Sequence, residues 1–229
     1  MKKGSKITDY LNSFFTEKVI DIFNSDINPQ LEVAIINGRY QLNAGSVNYS
    51  FGPLHDAFRK YFSKDQPSLN DDSQVLILGL GAGSVANIIR NELEYKCQIT
   101  GVEIDTAVVE AARKHFALDK VTNLNVIIDD AYDFVENSTD KYDLIIVDLY
   151  IEDKVPLKFE SFQFIQNLRR LLYKEGKVVF NKLKQAGKEE MQIEVLTKYF
   201  QTIFEKTDIV KVTVNKNCPN YFLTGIVTG

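Results

Sequence analysis

The sequence predicts an α/β protein with a seven-stranded, mostly parallel sheet and an antiparallel edge strand, preceded by a small N-terminal helix and β-hairpin. From Gln74 onward, near-continuous apolar runs alternate with amphipathic helical patterns, as in a parallel sheet covered on both faces. A glycine-rich loop follows the first apolar run, and a polar, turn-rich stretch over 63–73 precedes it. We therefore expect an N-terminal appendage over 1–70 and a main domain over 71–229.

The appendage carries three predicted elements. Apolar residues near helical spacing over 7–23 predict one amphipathic helix, whose aromatic stripe serves the core or a homodimer contact. Residues 31–45 predict a hairpin around Asn37-Gly38, because this pair tolerates positive φ at both turn positions. A second helix is predicted over 50–62, with Pro53 in its first turn.

The main domain contains seven strand-like runs separated by helical patterns. The predicted strands cover 74–80, 98–104, 124–128, 142–149, 177–183, 208–214 and 221–227. The predicted helices cover 85–93, 107–116, 132–136, 162–172 and 189–204. The last two strands are predicted to form the antiparallel edge.

Composition and charge exclude several classes of protein. The 229 residues are 45% hydrophobic and 25% charged, with a net charge of -4. The sequence therefore lacks the excess of basic residues that is typical of nucleic-acid-binding proteins. Cys97 and Cys218 are far apart and lack metal-type spacing, which predicts neither a disulfide framework nor a zinc site, and Cys97 is expected to be a buried thiol. With no signal peptide and no run of membrane-spanning length, we expect a cytoplasmic protein with no membrane partner.

The glycine loop is the first functional feature. Gly79, Gly81 and Gly83 follow a buried strand and open a helix, where a doubly wound sheet binds its ligand. Ser84 replaces the last glycine of the dinucleotide fingerprint, so a nicotinamide dehydrogenase ranks low. Glu103, 20 residues beyond Gly83 at the end of the second strand, is placed to accept both ribose hydroxyls; the alternative is a solvated strand-end acid.

Three further acids follow strands. Asp105 is expected to cap the next helix. Asp129 or Asp130 is placed either to accept a hydrogen bond from an adenine amino group or to cap the short helix that follows. Asp148 ends an apolar strand and faces the predicted reaction crevice, with a loop-capping role as the alternative.

These motifs together resemble the spermidine synthase family, within the Rossmann-like methyltransferase fold, from about Leu31 onward. "VLILGLGAGS" is similar to the family's G-G-G-D-G-G loop, "GVEIDTAVVEAARKHF" to its V-E-I-D segment, and "IIDDAYDFV" to its G-D-G-x-x-F element. "YDLIIVD" resembles the strand that leads into D-S-S-D-P. "NGRYQ" resembles a strand with a cofactor-contacting glutamine, and Tyr49 with His55 matches two positions of Y-H-E-M-L-x-H.

The resemblance implies a set of site residues. Implied cofactor contacts are Gln41, Gly79, Gly81, Ala82, Gly83, Glu103, Ile104, Asp130 and Ala131, and implied acceptor contacts are Tyr49, His55, Tyr150, Glu152 and Asp153. In these roles Glu103 holds the ribose, Asp130 the adenine amino group and Gln41 the cofactor tail. Asp148 is the implied catalytic residue, which orients the acceptor or takes its proton.

The sequence departs from the family pattern at three places, the first being Ser50 and Phe51, which replace the histidine and glutamate of Y-H-E. Ala82 replaces the aspartate that holds the ammonium of decarboxylated S-adenosylmethionine, a loss expected to cost about 2–5 kcal/mol of binding. Ile151 replaces the second acid of D-S-S-D-P, and Glu152 or Asp153 takes its place only if the loop shifts.

The leading hypothesis from the sequence is therefore an S-adenosylmethionine-dependent methyltransferase acting on a small-molecule acceptor, with an amine as one class. The alternative is an aminopropyltransferase that uses decarboxylated S-adenosylmethionine. A nucleoside-binding protein without turnover is the third hypothesis.

Overall fold

The computed structural model describes residues 8, 10–28, 30–45, 47–150, 154–183, 189–215 and 218–228. A four-stranded antiparallel sheet contains β1 (Lys18–Phe23), β2 (Leu31–Ile36), β3 (Arg39–Ala44) and β4 (Val47–Phe51). The second sheet contains β5 (Gln74–Leu78), β6 (Gln98–Glu103), β7 (Leu124–Ile128), β8 (Tyr142–Val147), β9 (Leu172–Leu183), β10 (Lys206–Asn215) and β11 (Cys218–Ile226). The α-helices are α1 (Gly52–Lys64), α2 (Ser84–Asn87), α3 (Thr106–His115), α4 (Ala131–Asn137), α5 (Phe162–Arg170) and α6 (Glu189–Ile203), and Ile88–Glu92 continues α2 as a π-helix.

The seven-stranded sheet confirms the predicted fold class. Its order is β10-β11-β9-β8-β5-β6-β7, and the pairs from β9 to β7 are parallel. Strand β11 runs antiparallel to both neighbours and lies one strand in from the edge. Leu76, Ile77 and Leu78 in β5 are fully buried, because helices cover both faces of the sheet. The carboxyl ends of β5, β6 and β8 therefore meet at one edge, where the functional side chains are expected.

The predicted N-terminal helix over 7–23 is wrong in its second half. Residues 10–12 are helical, but Lys18–Phe23 form β1 and pair antiparallel with β2. The segment "KVIDIF" is rich in β-branched residues, and pairing with β2 overrides its helical spacing. Phe14 and Phe15 are 51% and 89% exposed, so these two aromatic side chains do not belong to the core. Their role in a homodimer contact stays a prediction.

The hairpin and the second helix of the appendage are confirmed. Strands β2 and β3 are joined by Asn37 and Gly38, with φ of 51° and 74°, as the asparagine–glycine turn predicts. Helix α1 begins at Gly52 and has Pro53 in its first turn.

Helix α1 packs on the seven-stranded sheet. Phe58 and Tyr61 contact Phe222 of β11, with ring centroids 5.1 and 4.5 Å apart. The Tyr61 hydroxyl donates to Asp65 at 2.6 Å, and Lys177 of β9 forms an ion pair with the same carboxylate. Aromatic and polar contacts thus join the appendage to the sheet, and the domain boundary near residue 70 stays a prediction.

In the described part of the chain, no helix has both the length and the apolar character that crossing a membrane requires.

Candidate active site

The glycine loop joins β5 to α2 in a conformation that requires glycine. The backbone N–H groups of Gly79 and Leu80 both donate to the Val102 carbonyl, at 3.0 and 2.9 Å. Gly79 has a φ of 84°, and a Cβ atom there would overlap the carbonyl oxygen of Asp148. Gly81 has a φ of 55° and lies against the Ser50 hydroxyl. The loop therefore lies directly against the end of β8.

Glu103 lies at the end of β6 and binds this loop. Its side chain is 2% exposed, one carboxylate oxygen accepts from Gly81 N at 2.8 Å, and the other accepts from Asp105 N at 3.1 Å. Burial raises the pKa of Glu103 to about 7, although both N–H donors act in the opposite direction. The carboxylate keeps capacity to accept from a further donor, such as a ribose hydroxyl.

Asp105 is the predicted helix cap and also ties the N-terminal segment to the site. It accepts from Ala107 N at 2.9 Å at the start of α3, which confirms the capping role. Its second oxygen accepts from the Ser25 hydroxyl and from the Asn28 amide, the latter at 2.7 Å. The loop between β1 and β2 is thereby joined to the end of β6.

Asp130 caps α4. One carboxylate oxygen accepts from Tyr132 N at 2.8 Å, and the other forms an ion pair with Lys158 at 2.5 Å. The capping alternative is therefore confirmed for Asp130, and a contact with an adenine amino group stays a prediction. Asp129, the other candidate, is exposed.

Asp148 is held by an asparagine pair that the sequence-based prediction missed. Asn181 of β9 donates to Asp148 at 2.9 Å, and Asn220 of β11 donates to the Asn181 side-chain oxygen at 2.8 Å. This second bond leaves the Asn181 amide nitrogen directed at Asp148. Removal from water raises the pKa of Asp148 to about 7, and the Asn181 bond acts against this rise. The signal in the sequence is an asparagine inside the otherwise buried run "VVFN".

Two tyrosines adjoin Asp148. The Tyr150 hydroxyl donates to the Asn181 carbonyl at 2.9 Å and accepts from Leu183 N at 2.8 Å, which fixes the ring beside β9. Burial, together with the negative charge of Glu103, raises the pKa of Tyr49 well above its ordinary value. Tyr49 therefore stays a neutral phenol beside the acids.

Two adjoining cavities lie over the glycine loop, with empty volumes of about 520 and 560 Å³. Both are lined by Tyr49, Gly79, Glu103, Asp148 and Tyr150. Among the described residues on the wall of the first cavity, the charged side chains are two carboxylates.

The second cavity brings together residues from three strand ends. Ile104 and Ala131 lie on its apolar wall, as the resemblance implies, and so do Leu149 and Phe159, which were not predicted. Lys158, also not predicted, reaches this wall with Asp130. An apolar slot with carboxylates at its rim is suited to a purine and its ribose, so these residues fit an S-adenosyl compound.

Four predicted residues lie off both cavity walls. Gln41 in β3 is buried beside Gly52, where a Cβ atom would come within 2.6 Å of its amide. Ala82 is buried in the core, and Leu118 occupies the space beside Gly83. His55 bonds Ser84, which does line the first cavity although it was not predicted as a site residue. Contacts from these four to a ligand stay predictions, and Glu152 and Asp153 lie outside the described residues.

Comparison with known proteins finds relatives that match about half of the chain. A "Probable polyamine aminopropyl transferase" of Bifidobacterium longum is 34% identical over 116 residues, which cover 50% of this chain and 25% of that protein. The "eEF1A lysine and N-terminal methyltransferase homolog" of Drosophila melanogaster is 28% identical over 124 residues, covering 50% of this chain and 18% of that protein. The matched stretches thus cover a quarter or less of the length of these two relatives.

A solved structure shows the same fold. The probable spermidine synthase from Corynebacterium glutamicum superposes with a TM-score of 0.69 at 17% identity, covering 91% of this chain and 80% of that one. The family model described as the spermine/spermidine synthase domain matches residues 56–227, three quarters of the sequence. The chain therefore belongs to the spermine/spermidine synthase family.

Proposed function

We propose that this protein is an aminopropyltransferase, which transfers the aminopropyl group of decarboxylated S-adenosylmethionine to a small amine. The observation that carries the proposal is the wall of the first cavity, where Glu103 and Asp148 are the charged side chains among the described residues. Glu103 faces the ribose that both donors share, so Asp148 is the carboxylate that favours a cationic acceptor over ligands that bring a carboxylate of their own. Family membership and the name of the Bifidobacterium relative support the same reaction.

Asp148 is the proposed general base. A protonated amine cannot attack carbon, so a carboxylate near the acceptor must take its proton, and a pKa of about 7 suits that exchange near neutral pH. Asn181 orients the carboxylate, and Tyr150 is held beside it. When bound, the sulfonium compound supplies an activated carbon, whose bond to sulfur breaks as the new carbon–nitrogen bond forms and a neutral thioether leaves. The remaining contribution of the chain is positioning.

This proposal ranks aminopropyl transfer above methyl transfer, whereas the sequence alone favours methyl transfer. Ala82 weighed against a decarboxylated donor, but its side chain is buried in the core and lies off both cavity walls. Asp148, which does line both cavities, is stronger evidence for a cationic ligand than Ala82 is against one. Methyl transfer remains the second candidate, because one relative is named a methyltransferase and Ala82 brings no carboxylate that would repel an intact methionine tail.

Product analysis tests the proposal. The protein is incubated with decarboxylated or intact S-adenosylmethionine and a set of primary monoamines and diamines, and the nucleoside product is identified by mass spectrometry. We expect methylthioadenosine from the decarboxylated donor, and at least a hundredfold lower rate for Asp148→Asn. Formation of S-adenosylhomocysteine from the intact donor would instead establish methyl transfer. Tight binding of either donor without any product would support the non-catalytic alternative.

A further inference from the structure

Ser84, His55 and Glu92 form a hydrogen-bonded series that begins on the wall of the first cavity at Ser84 and leads away from it. Ser84, the first residue of α2, bonds His55 Nδ1 at 2.9 Å, and His55 Nε2 bonds Glu92 at 2.6 Å. Phe51 stacks on the imidazole with centroids 5.3 Å apart, which fixes the ring plane. Arg59 Nε lies 2.6 Å from the other Glu92 oxygen. A side chain on the cavity wall is thereby coupled to an arginine–glutamate pair in a separate surface groove.

The positions of the protons in this series follow from its partners. Glu92, paired with Arg59, is an ionised carboxylate that only accepts, so His55 Nε2 carries the hydrogen and donates it. In a neutral imidazole the other nitrogen is then an acceptor, and the Ser84 hydroxyl hydrogen is donated to Nδ1. The lone pairs of the Ser84 oxygen remain. With hydrogen on Nε2 and none on Nδ1, Ser84 presents an acceptor, and no donor, to the cavity.

The surroundings of Ser84 indicate what that acceptor would bind. Its side chain is 2% exposed, and within the described part of the chain His55 is its one hydrogen-bond partner. It shares the cavity wall with Glu103 and Asp148. A buried acceptor oxygen beside two carboxylates matches a ligand group that carries several donors and a positive charge, which is an alkylammonium.

We propose that Ser84 is a specificity-determining residue that accepts a hydrogen bond from the primary ammonium of the cosubstrate tail, and that His55 and Glu92 are positioning residues that keep its oxygen an acceptor. The identity of the ligand rests on the proposed function. The reverse tautomer, with hydrogen on Nδ1, would free the Ser84 hydroxyl to donate and would favour a carboxylate tail instead. The hydrogen bonds among Ser84, His55 and Glu92 therefore favour a decarboxylated over an intact donor.

The first test determines the tautomer of His55. The protein has two histidines, so long-range ¹H–¹⁵N spectra of the imidazoles contain two ring systems, and His55→Gln assigns them. We expect hydrogen on Nε2, directed at Glu92, and none on Nδ1. A hydrogen on Nδ1, whether in a neutral or a doubly protonated ring, would overturn the proposal without any measurement of activity.

The second test compares three ligands by titration calorimetry: decarboxylated S-adenosylmethionine, intact S-adenosylmethionine and methylthioadenosine, which lacks the charged tail. Ser84→Ala should lower the affinity for the decarboxylated donor about tenfold, as expected for the loss of a hydrogen bond to a charged group. It should change the affinity for methylthioadenosine by less than about twofold. His55→Phe should lower the affinity for the decarboxylated donor relative to that for methylthioadenosine, because His55 no longer accepts the hydrogen of the Ser84 hydroxyl. Ser63→Ala, which removes an exposed hydroxyl from α1, is the matched control.

The outcomes separate the two proposals. If the wild type makes methylthioadenosine but Ser84→Ala weakens all three ligands equally, or none of them, the role of Ser84 is refuted and the proposed function stands. If the wild type binds the intact donor more tightly and Ser84→Ala abolishes that preference, Ser84 is a donor and both proposals fail. If the wild type binds no nucleoside, both fail together.

Discussion

The substitution Asp148→Asn should make the protein more stable at neutral pH and leave it unchanged in acid. In the folded protein the pKa of Asp148 is raised from an ordinary 3.8 to about 7, because its carboxyl group is removed from water. The folded state therefore binds this proton more tightly than the unfolded chain does. The resulting stabilisation is fully present below pH 3.8 and is lost as the pH rises through about 7.

The magnitude follows from the separation of the two pKa values. A gap of about three pH units, at about 1.36 kcal/mol for each, means that ionisation of Asp148 costs up to about 4 kcal/mol of unfolding free energy by pH 8. Asparagine has a similar shape, can still accept from Asn181, and never ionises. The unfolding free energy of the variant should exceed that of the wild type by about 4 kcal/mol at pH 8, and by close to zero near pH 4.

Urea unfolding followed by far-UV circular dichroism, repeated between pH 4 and 8, measures this difference. Asp140→Asn replaces an exposed acid and is the control, with an expected change within about 0.5 kcal/mol at every pH. A difference between Asp148→Asn and the wild type that does not change with pH would refute the reasoning. It would show that the Asp148 carboxyl group stays hydrated and is not perturbed by its position.

Three other changes give separate tests. Asn181→Leu removes the donor that lowers the pKa of Asp148, so the acid limb of the pH–rate profile should move up by about one pH unit, and an unmoved limb would contradict the contact. Gly79→Ala forces φ of 84° on a residue whose Cβ meets the Asp148 carbonyl, and should lower the unfolding free energy by about 1–3 kcal/mol or more in a urea titration. Phe222→Ala removes the ring that stacks on Tyr61, so calorimetry should show one cooperative transition destabilised by about 3–5 kcal/mol. Two separate transitions would instead indicate that α1 and the sheet unfold independently.

The stability gain expected for Asp148→Asn would measure how much the ionised Asp148 lowers the unfolding free energy. Glu103 and Asp148 both lie at strand ends where burial raises their pKa, so keeping either one ionised opposes folding. Buried acids with raised pKa values in a cavity are typical of groups that serve binding or catalysis.

Short-range patterns of the chain predicted most of the main domain. Apolar runs of strand length identified β5 to β9, and the asparagine–glycine pair identified the first hairpin. Asp105 and Asp130 were placed at helix starts by capping chemistry, in which the bonded groups are two residues apart. The largest error is the helix predicted where β1 forms. Residues 18–23 have helical spacing, but pairing with β2 decides their structure.

The sequence by itself determined the fold class, the glycine loop and the acids at the strand ends, because each of these is written in neighbouring residues. Only the tertiary structure decided which partners those residues meet. Asn181 reaches Asp148 across 33 residues, and His55 reaches Ser84 across 29. No local period encodes contacts at such separations; they exist because the sheet order places β9 beside β8 and because α1 packs against the glycine loop.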